Sequence, residues 1–283
     1  MTVAIIGLGL IGGSVGLGLG RWGFAERIVG YDSCEHSLDR ALVRKAVQTT
    51  FRHPAEVANS KLWVLAVPPS AVPATLQWIQ PHLRPDAVVT DCASVKESVL
   101  ESVPQAMVPR FVGGHPMAGR ETSGIDSARP DLFDGASWVL CPQEATDRDA
   151  VNTARQMAYA LDAVPVIMSA QDHDRHVAVL SHLPHVLAAA LVDLADDLKT
   201  TDISAGSWDD LTRVAGSHPE LWSAIALGNR EALIAAIQDC RGRLDRFEAL
   251  LTSLDSDGIR ETFERARLQK AAQTRAAARR GQE

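Results

Sequence analysis

A chain of 283 residues, 46% hydrophobic and 22% charged, is long enough for two domains and has the make-up of a globular protein rather than a disordered one. Its formal net charge of -7 argues against nucleic acid as a default partner. Four scattered cysteines (Cys34, Cys92, Cys141, Cys240) with no CxxC pair exclude a zinc-ribbon pattern, suggest no disulfide framework and fit a reducing cytoplasm.

The first 20 residues carry no charge, yet they are not a signal peptide: no basic segment precedes the apolar run, and seven glycines interrupt it. They read instead as a strand over Val3–Ile6, a glycine turn, and a helix around Ser14–Leu19. Further strands are expected at Arg27–Tyr31, Leu62–Val67, Ala87–Thr90, Phe111–Gly113, Trp138–Cys141 and Val164–Met168. The last suits only an edge or a strand start, because Pro165 cannot donate to a ladder. Helical patterns separate most of them, which predicts a mostly parallel sheet covered on both faces. After about residue 170 the pattern changes. One long apolar helix is expected over 171–198, with Pro184 inside it, and helical spacing recurs over 219–255. A charged helix follows from Glu261. The division is therefore residues 1–169 for a dinucleotide-binding domain and 170–283 for a helical one. No other segment reads as about 20 apolar residues free of charge, so the expectation is a soluble protein with no membrane partner.

Gly7-Leu8-Gly9-Leu10-Ile11-Gly12 matches G-x-G-x-x-G, follows a strand, opens a helix, and stands 20 residues before Asp32 at the end of the next strand. Gly7 allows the tight turn, Gly9 the approach of a pyrophosphate, and Gly12 close helix–strand packing, while the helix N-terminus supplies N–H donors for the phosphates. Asp32 accepts from ribose hydroxyls and repels a 2′-phosphate, which favours NAD over NADP. Leu10 and Ile11 within the motif, and Val67 and Pro68 after the third strand, complete the expected cofactor-binding set.

The densest polar signals lie beyond that half: Asp91-Cys92-Ala93-Ser94-Val95-Lys96, Gly113-Gly114-His115-Pro116-Met117-Ala118-Gly119, Ser181-His182-Leu183-Pro184-His185, and Thr212-Arg213-Val214-Ala215. The first two follow the carboxyl ends of strands, where open α/β sheets bind ligands. With VAIIGLGLIGGSV, SGID and the HD pair at 173–174, these strings run in one order from residue 3 to 216. In that order the chain resembles the prephenate and arogenate dehydrogenases of tyrosine biosynthesis. The resemblance implies a Rossmann-type α/β domain followed by an all-helical dimerisation domain, a homodimer, and NAD as cofactor. It also implies oxidative decarboxylation of a cyclohexadienol. Hydride leaves C4 as the hydroxyl there loses its proton, then carbon dioxide leaves C1 and the ring becomes aromatic.

That chemistry requires a base, a cation for carboxylates and an oriented cofactor. His115 is assigned as the base, a neutral imidazole matching the required pKa. Ser94, as the resemblance implies, hydrogen-bonds the same hydroxyl or orients His115; it also reads as a helix N-cap, with Glu97 completing a capping box. Arg213 clamps a substrate carboxylate through its planar fork, or else pairs with Asp209 or Asp210 on the surface. His185 faces substrate, again by resemblance; His182, three residues earlier on the same face, does so too or is a satisfied structural histidine. Pro184 between them predicts a kink. Arg120, where the family often has a small hydroxyl residue, pairs with a second carboxylate, packs on the cofactor, or points to solvent. His173, His176, His182 and His185 lack a carboxylate in a usual ligand pattern, so no metal is expected. Prephenate is the expected substrate and arogenate the alternative. Two rivals stand further off: a β-hydroxy-acid or imine dehydrogenase, which relies on a lysine where this chain has only Lys199, and a non-catalytic NAD-binding protein.

Overall fold

A computed structural model describes the protein except for residues 22, 120–121, 198–202 and 281–283; Arg120, Glu121 and Lys199 thus lie outside the described residues. Eight strands form one sheet in the order β3-β2-β1-β4-β5-β6-β7-β8. They are β1 (Thr2–Ile6), β2 (Arg27–Tyr31), β3 (Thr49–Thr50), β4 (Leu62–Leu65), β5 (Val88–Asp91), β6 (Phe111–Pro116), β7 (Ser137–Pro142) and β8 (Val164–Ile167). Every pairing is parallel except β6 with β7, where His115 stands opposite Val139. The expected strands are all present, and β8 with its Pro165 is an edge strand. The other edge, β3, is a two-residue pairing with Val29 and Gly30 that no sequence period can announce.

Side chains alternate between two cores because successive strand residues point to opposite faces. Val3, Ile5, Leu62 and Val64 join one core, and Ala4, Ile6, Trp63 and Leu65 the other. The first is covered by α1 (Leu10–Arg21), α2 (Glu35–Val43) and α5 (Arg148–Ala160), the second by α3 (Val72–Ile79) and α4 (Glu97–Glu101). Glycine is obligatory at the first turn. Gly7 has φ +91, and a Cβ there would sit 2.4 Å from the Ala66 carbonyl oxygen; a Cβ on Gly12 would sit 1.8 Å from the Gly7 oxygen.

The helical part begins with α6 (Ala170–Val177), a π-turn over Ala178–His182, and α7 (Leu183–Asp197). Pro184 therefore acts through an inserted wide turn: Leu183 N donates to Ala178 O, five residues back. This continuous helix, Ala170–Asp197, is by length and composition apolar enough to cross a membrane, although it is not free of charge, since Asp174, Arg175 and Asp193 lie within it. It nevertheless buries His173, Asp174 and His182 against the rest of the fold and exposes Val179, Leu180 and Leu194. Then come α8 (Gly206–Thr212), a short 3₁₀ turn at Arg213–Gly216, α9 (Pro219–Gly228) and α10 (Arg230–Thr252), the expected run over 219–255 being interrupted at Asn229. Ile225 of α9 belongs to the second core, and the Cα of Gly228 lies so near Val95 that a Cβ would be 3.1 Å from it. Met1–Leu233 form one compact unit and Ile234–Glu283 a second. In the second, α11 (Ser256–Arg280) returns beside the end of α10, with Phe247 and Phe263 in edge contact at 5.7 Å.

Candidate active site

The carboxyl ends of β1, β5 and β6 converge with α7, α9 and the 3₁₀ turn on one cavity of about 510 Å³. It brings together Leu10, Ile11, Ser94, His115, His185 and Arg213, six of the residues singled out from sequence, with Trp222 as an unanticipated wall.

On the cofactor side, the space above Gly9 is open, with no described residue within 4 Å of a notional Cβ, as close approach of a phosphate requires. Asp32 closes β2 toward this turn: one carboxylate oxygen accepts from Leu8 N at 2.7 Å, the other from Cys34 N at 2.8 Å. Each oxygen keeps a further acceptor site, so ribose hydroxyls fit there while a phosphate does not. Val67 touches the turn beside Gly7, and Pro68 follows, exposed. The residues present fit a dinucleotide.

On the reacting side, His115 is held from beneath. Asp91 and Lys96 form an ion pair with both side chains 0% exposed. Asp91 accepts from Gly114 N at 3.0 Å and from Ala93 N at 2.9 Å, and Lys96 Nζ donates to Gly114 O at 2.7 Å. Both backbone groups of the residue before His115 are thus clamped by buried charges. Gly114 is glycine because a Cβ would lie 2.5 Å from Asp91 O. Behind the ring, His115 Nδ1 lies 2.8 Å from His173 Nε2, and His173 Nδ1 lies 2.6 Å from Asp174 Oδ1. Asp174 also accepts from Lys96 N and Glu97 N, each at 2.8 Å. It therefore occupies the first turn of α4, and the capping role read for Ser94 is corrected: no local side chain caps α4, and Ser94 lines the cavity instead. A carboxylate 78 residues away outcompetes the local hydroxyl because it is ionic and meets two amides at once.

His185 Nδ1 lies 2.8 Å from Ser181 O, which can only accept, so His185 presents a bare Nε2. Its ring stacks on Trp222 with centroids 3.4 Å apart, and burial holds its pKa below the ordinary histidine value. His182 is 1% exposed and lines a neighbouring cavity of about 280 Å³. Asn229 Nδ2 donates to its Nδ1 at 3.1 Å and to Asp174 O at 2.8 Å. Arg213 is an exposed residue at the cavity rim. Lys96, Asn229 and Trp222 escaped sequence reading. Lys96 gave the one available signal, as the cation closing the polar string that begins at Asp91 after a strand.

Burial pushes the His115 pKa well below the ordinary value, with His173 and Lys96 adding to it, and pushes His182 down to about 4. Between pH 6.5 and 4 the unfolded chain therefore binds protons that the native state refuses, so stability falls as pH drops through that window. The slope expected from the two is up to about 1.4 kcal/mol per pH unit each. Urea midpoints measured from pH 7 to pH 4.5 check this, and replacing His182 by Asn is expected to flatten the slope.

Family models described as the nucleotide-binding domain and the dimerization domain of prephenate dehydrogenase match residues 15–167 and 169–265. A cyclohexadienyl dehydrogenase of Zymomonas mobilis is 33% identical over 276 residues, covering 92% of each chain. Among solved structures, a prephenate dehydrogenase from A. aeolicus, in complex with hydroxyphenyl propionate and NAD+, is 29% identical. It superposes with a TM-score of 0.90, covering 96% of this chain and 98% of its own. A Synechocystis arogenate dehydrogenase is 32% identical, with a TM-score of 0.85 and coverage of 96% and 99%.

Proposed function

The chain belongs to the prephenate dehydrogenase family, and from that premise we propose that it catalyses the NAD-dependent oxidative decarboxylation of prephenate to 4-hydroxyphenylpyruvate in tyrosine biosynthesis. The observation that carries this reading is one cavity lined by His115, Ser94 and Arg213 and, on its far side, by the first residues of the dinucleotide turn helix. NAD, when bound, supplies the hydride acceptor. Gly9, Leu10 and Ile11 would hold its phosphates on the turn that Gly7 and Gly12 make possible, with Val67 and Pro68 alongside, and Asp32 would hold its ribose. His115 takes the proton of the C4 hydroxyl as hydride leaves C4, and returns it to the phenolate oxygen once carbon dioxide has left, so no net proton is consumed. Ser94 orients that hydroxyl. Arg213 binds a substrate carboxylate by charge-assisted hydrogen bonds.

Residues 1–169 act as the dinucleotide-binding part and 170–283 as the helical substrate and dimerisation part. The exposed apolar residues Val179, Leu180 and Leu194, together with the matched dimerization domain, support a homodimer. The free cysteines (Cys34, Cys92, Cys141, Cys240) suit the cytoplasm.

One feature favours arogenate as a second reading: the bare Nε2 of His185 accepts hydrogen bonds, and an ammonium donates them. The test is to mix the protein with NAD or NADP and either prephenate or arogenate, and to follow the reduced-nicotinamide absorbance. Turnover of prephenate with NAD is expected; silence with both substrates and both cofactors overturns the reading.

A further inference from the structure

We propose that His173 and Asp174 are positioning residues that fix the tautomer of His115, placing its lone pair on Nε2, the ring nitrogen that meets the substrate hydroxyl. The proposal rests on the reading of His115 as the base. It is carried by the hydrogen-bond chain behind the ring. A carboxylate has only acceptors, so the 2.6 Å contact between Asp174 Oδ1 and His173 Nδ1 requires the hydrogen on His173 Nδ1. The opposite arrangement would set two lone pairs against each other in a buried place, at the cost of an unpaired buried acceptor. His173 Nε2 is then the acceptor for His115 Nδ1–H across 2.8 Å. A neutral imidazole carries one N–H, so the other nitrogen of His115 is left bare.

Asp174 is itself immobilised. Lys96 N and Glu97 N fix its two oxygens, and Asn229 holds its backbone carbonyl. Both His173 and Asp174 are 1% exposed, so water does not compete for either ring nitrogen of His173. Two other ionisable groups near the base are engaged elsewhere: Lys96 Nζ is directed at Asp91 and Gly114 O, and the neutral His182 accepts at Nδ1 from Asn229.

In the reaction the hydroxyl O–H bond breaks and an N–H bond forms at His115 Nε2. No proton leaves the chain. The ring becomes cationic, its Nδ1–H becomes a stronger donor to His173, and the negative Asp174 balances the charge from two rings away. The arrangement follows the logic of a triad in which an acid holds a base in its working tautomer, with a second imidazole interposed.

The test combines spectroscopy and kinetics. In protein labelled with ¹⁵N-histidine and loaded with NAD, long-range ¹H–¹⁵N spectra are expected to show His115 with a protonated Nδ1 and a bare Nε2. Loss of its peaks in His115→Gln provides the assignment. Asp174→Asn is expected to lower kcat by about 10²–10⁴-fold, with KM and the Kd for NAD within about threefold, because the tautomer is lost and not the binding. Should Asp174→Asn fold poorly, His173 gives the same answer. Phe there removes the acceptor, whereas Gln retains an oxygen for His115 Nδ1–H, so His173→Gln is expected to keep at least about tenfold more kcat than His173→Phe. A parent His115 protonated on Nε2, or His173→Phe within about threefold of parent kcat, overturns the proposal. If His115→Ala retains full turnover, the base assignment itself fails; if it abolishes turnover while His173→Phe does not, only the positioning role fails.

Discussion

Alanine at His115 is expected to lower kcat by about 10²–10⁴-fold, the usual worth of a well-placed general base. That corresponds to about 3–5 kcal/mol of barrier. The Kd for NAD is expected to stay within about twofold, because the truncated ring lies on β6 while the dinucleotide turn and Asp32 keep every contact described above. The separation matters: a general collapse of the site would weaken both. Single-turnover rates with prephenate, beside calorimetric titration of NAD, read the two effects independently. Turnover within about tenfold of the parent would show that another group removes the proton. The pH dependence adds a sign. The proposed base works when neutral, and burial holds the His115 pKa well below the ordinary histidine value. In the free enzyme, kcat/KM is therefore expected to be flat near neutrality and to fall only well below pH 6.5.

The largest loss of stability is expected from Lys96→Met. Lys96 and Asp91 are fully buried, and removing one partner leaves the other charged and unpaired in the interior. Such deletions cost about 3–5 kcal/mol. For a unit of this size that lowers the thermal midpoint by about 6–20 °C. Adding Asp91→Asn to Lys96→Met is expected to recover part of the loss, because the stranded charge is then gone and the pair is strongly coupled. Urea unfolding of the parent, both single variants and the double variant provides the full cycle. A Lys96→Met variant within about 1 kcal/mol of the parent would mean that water or a side-chain shift relieves Asp91. Activity is expected to suffer as well, since the same pair clamps both backbone groups of Gly114, next to the proposed base His115.

What the sequence made legible follows from what is local. The strand–turn–helix at residues 3–19 is encoded by steric needs that only glycine meets at Gly7 and Gly12, so it can be read without the fold. Strand β8 announced its edge position through Pro165. The short pairing of Thr49–Thr50 could not be read, because two residues have no period. Pro184 signalled a disturbance but not its form, since either a kink or a widened turn accommodates the missing N–H. The cap of α4 was misread for a related reason. Ser94 and Glu97 satisfy the local pattern, but Asp174 reaches the same amides from 78 residues away and wins. The same long-range closure hid the support of His115. His173 and Asp174 stood in view as neighbours in sequence, yet nothing along the chain tells that one ring faces β6.

The π-turn at Ala178–His182 has a consequence for how this part of the chain can change. Each residue in a helix advances the azimuth by about 100°, so the extra residue accommodated there sets the phase of all of α7. With that phase His185 meets the cavity, His182 is buried beside Asn229, and Leu194 faces outward. Winding the same residues as a regular α-helix would swing every later side chain through about a third of a revolution. The histidine would leave the cavity and the outer apolar stripe would turn with it. The cavity-facing His185 and the outward face of α7 are thus indexed by one turn, and loss of that wide turn cannot shift one without displacing the other.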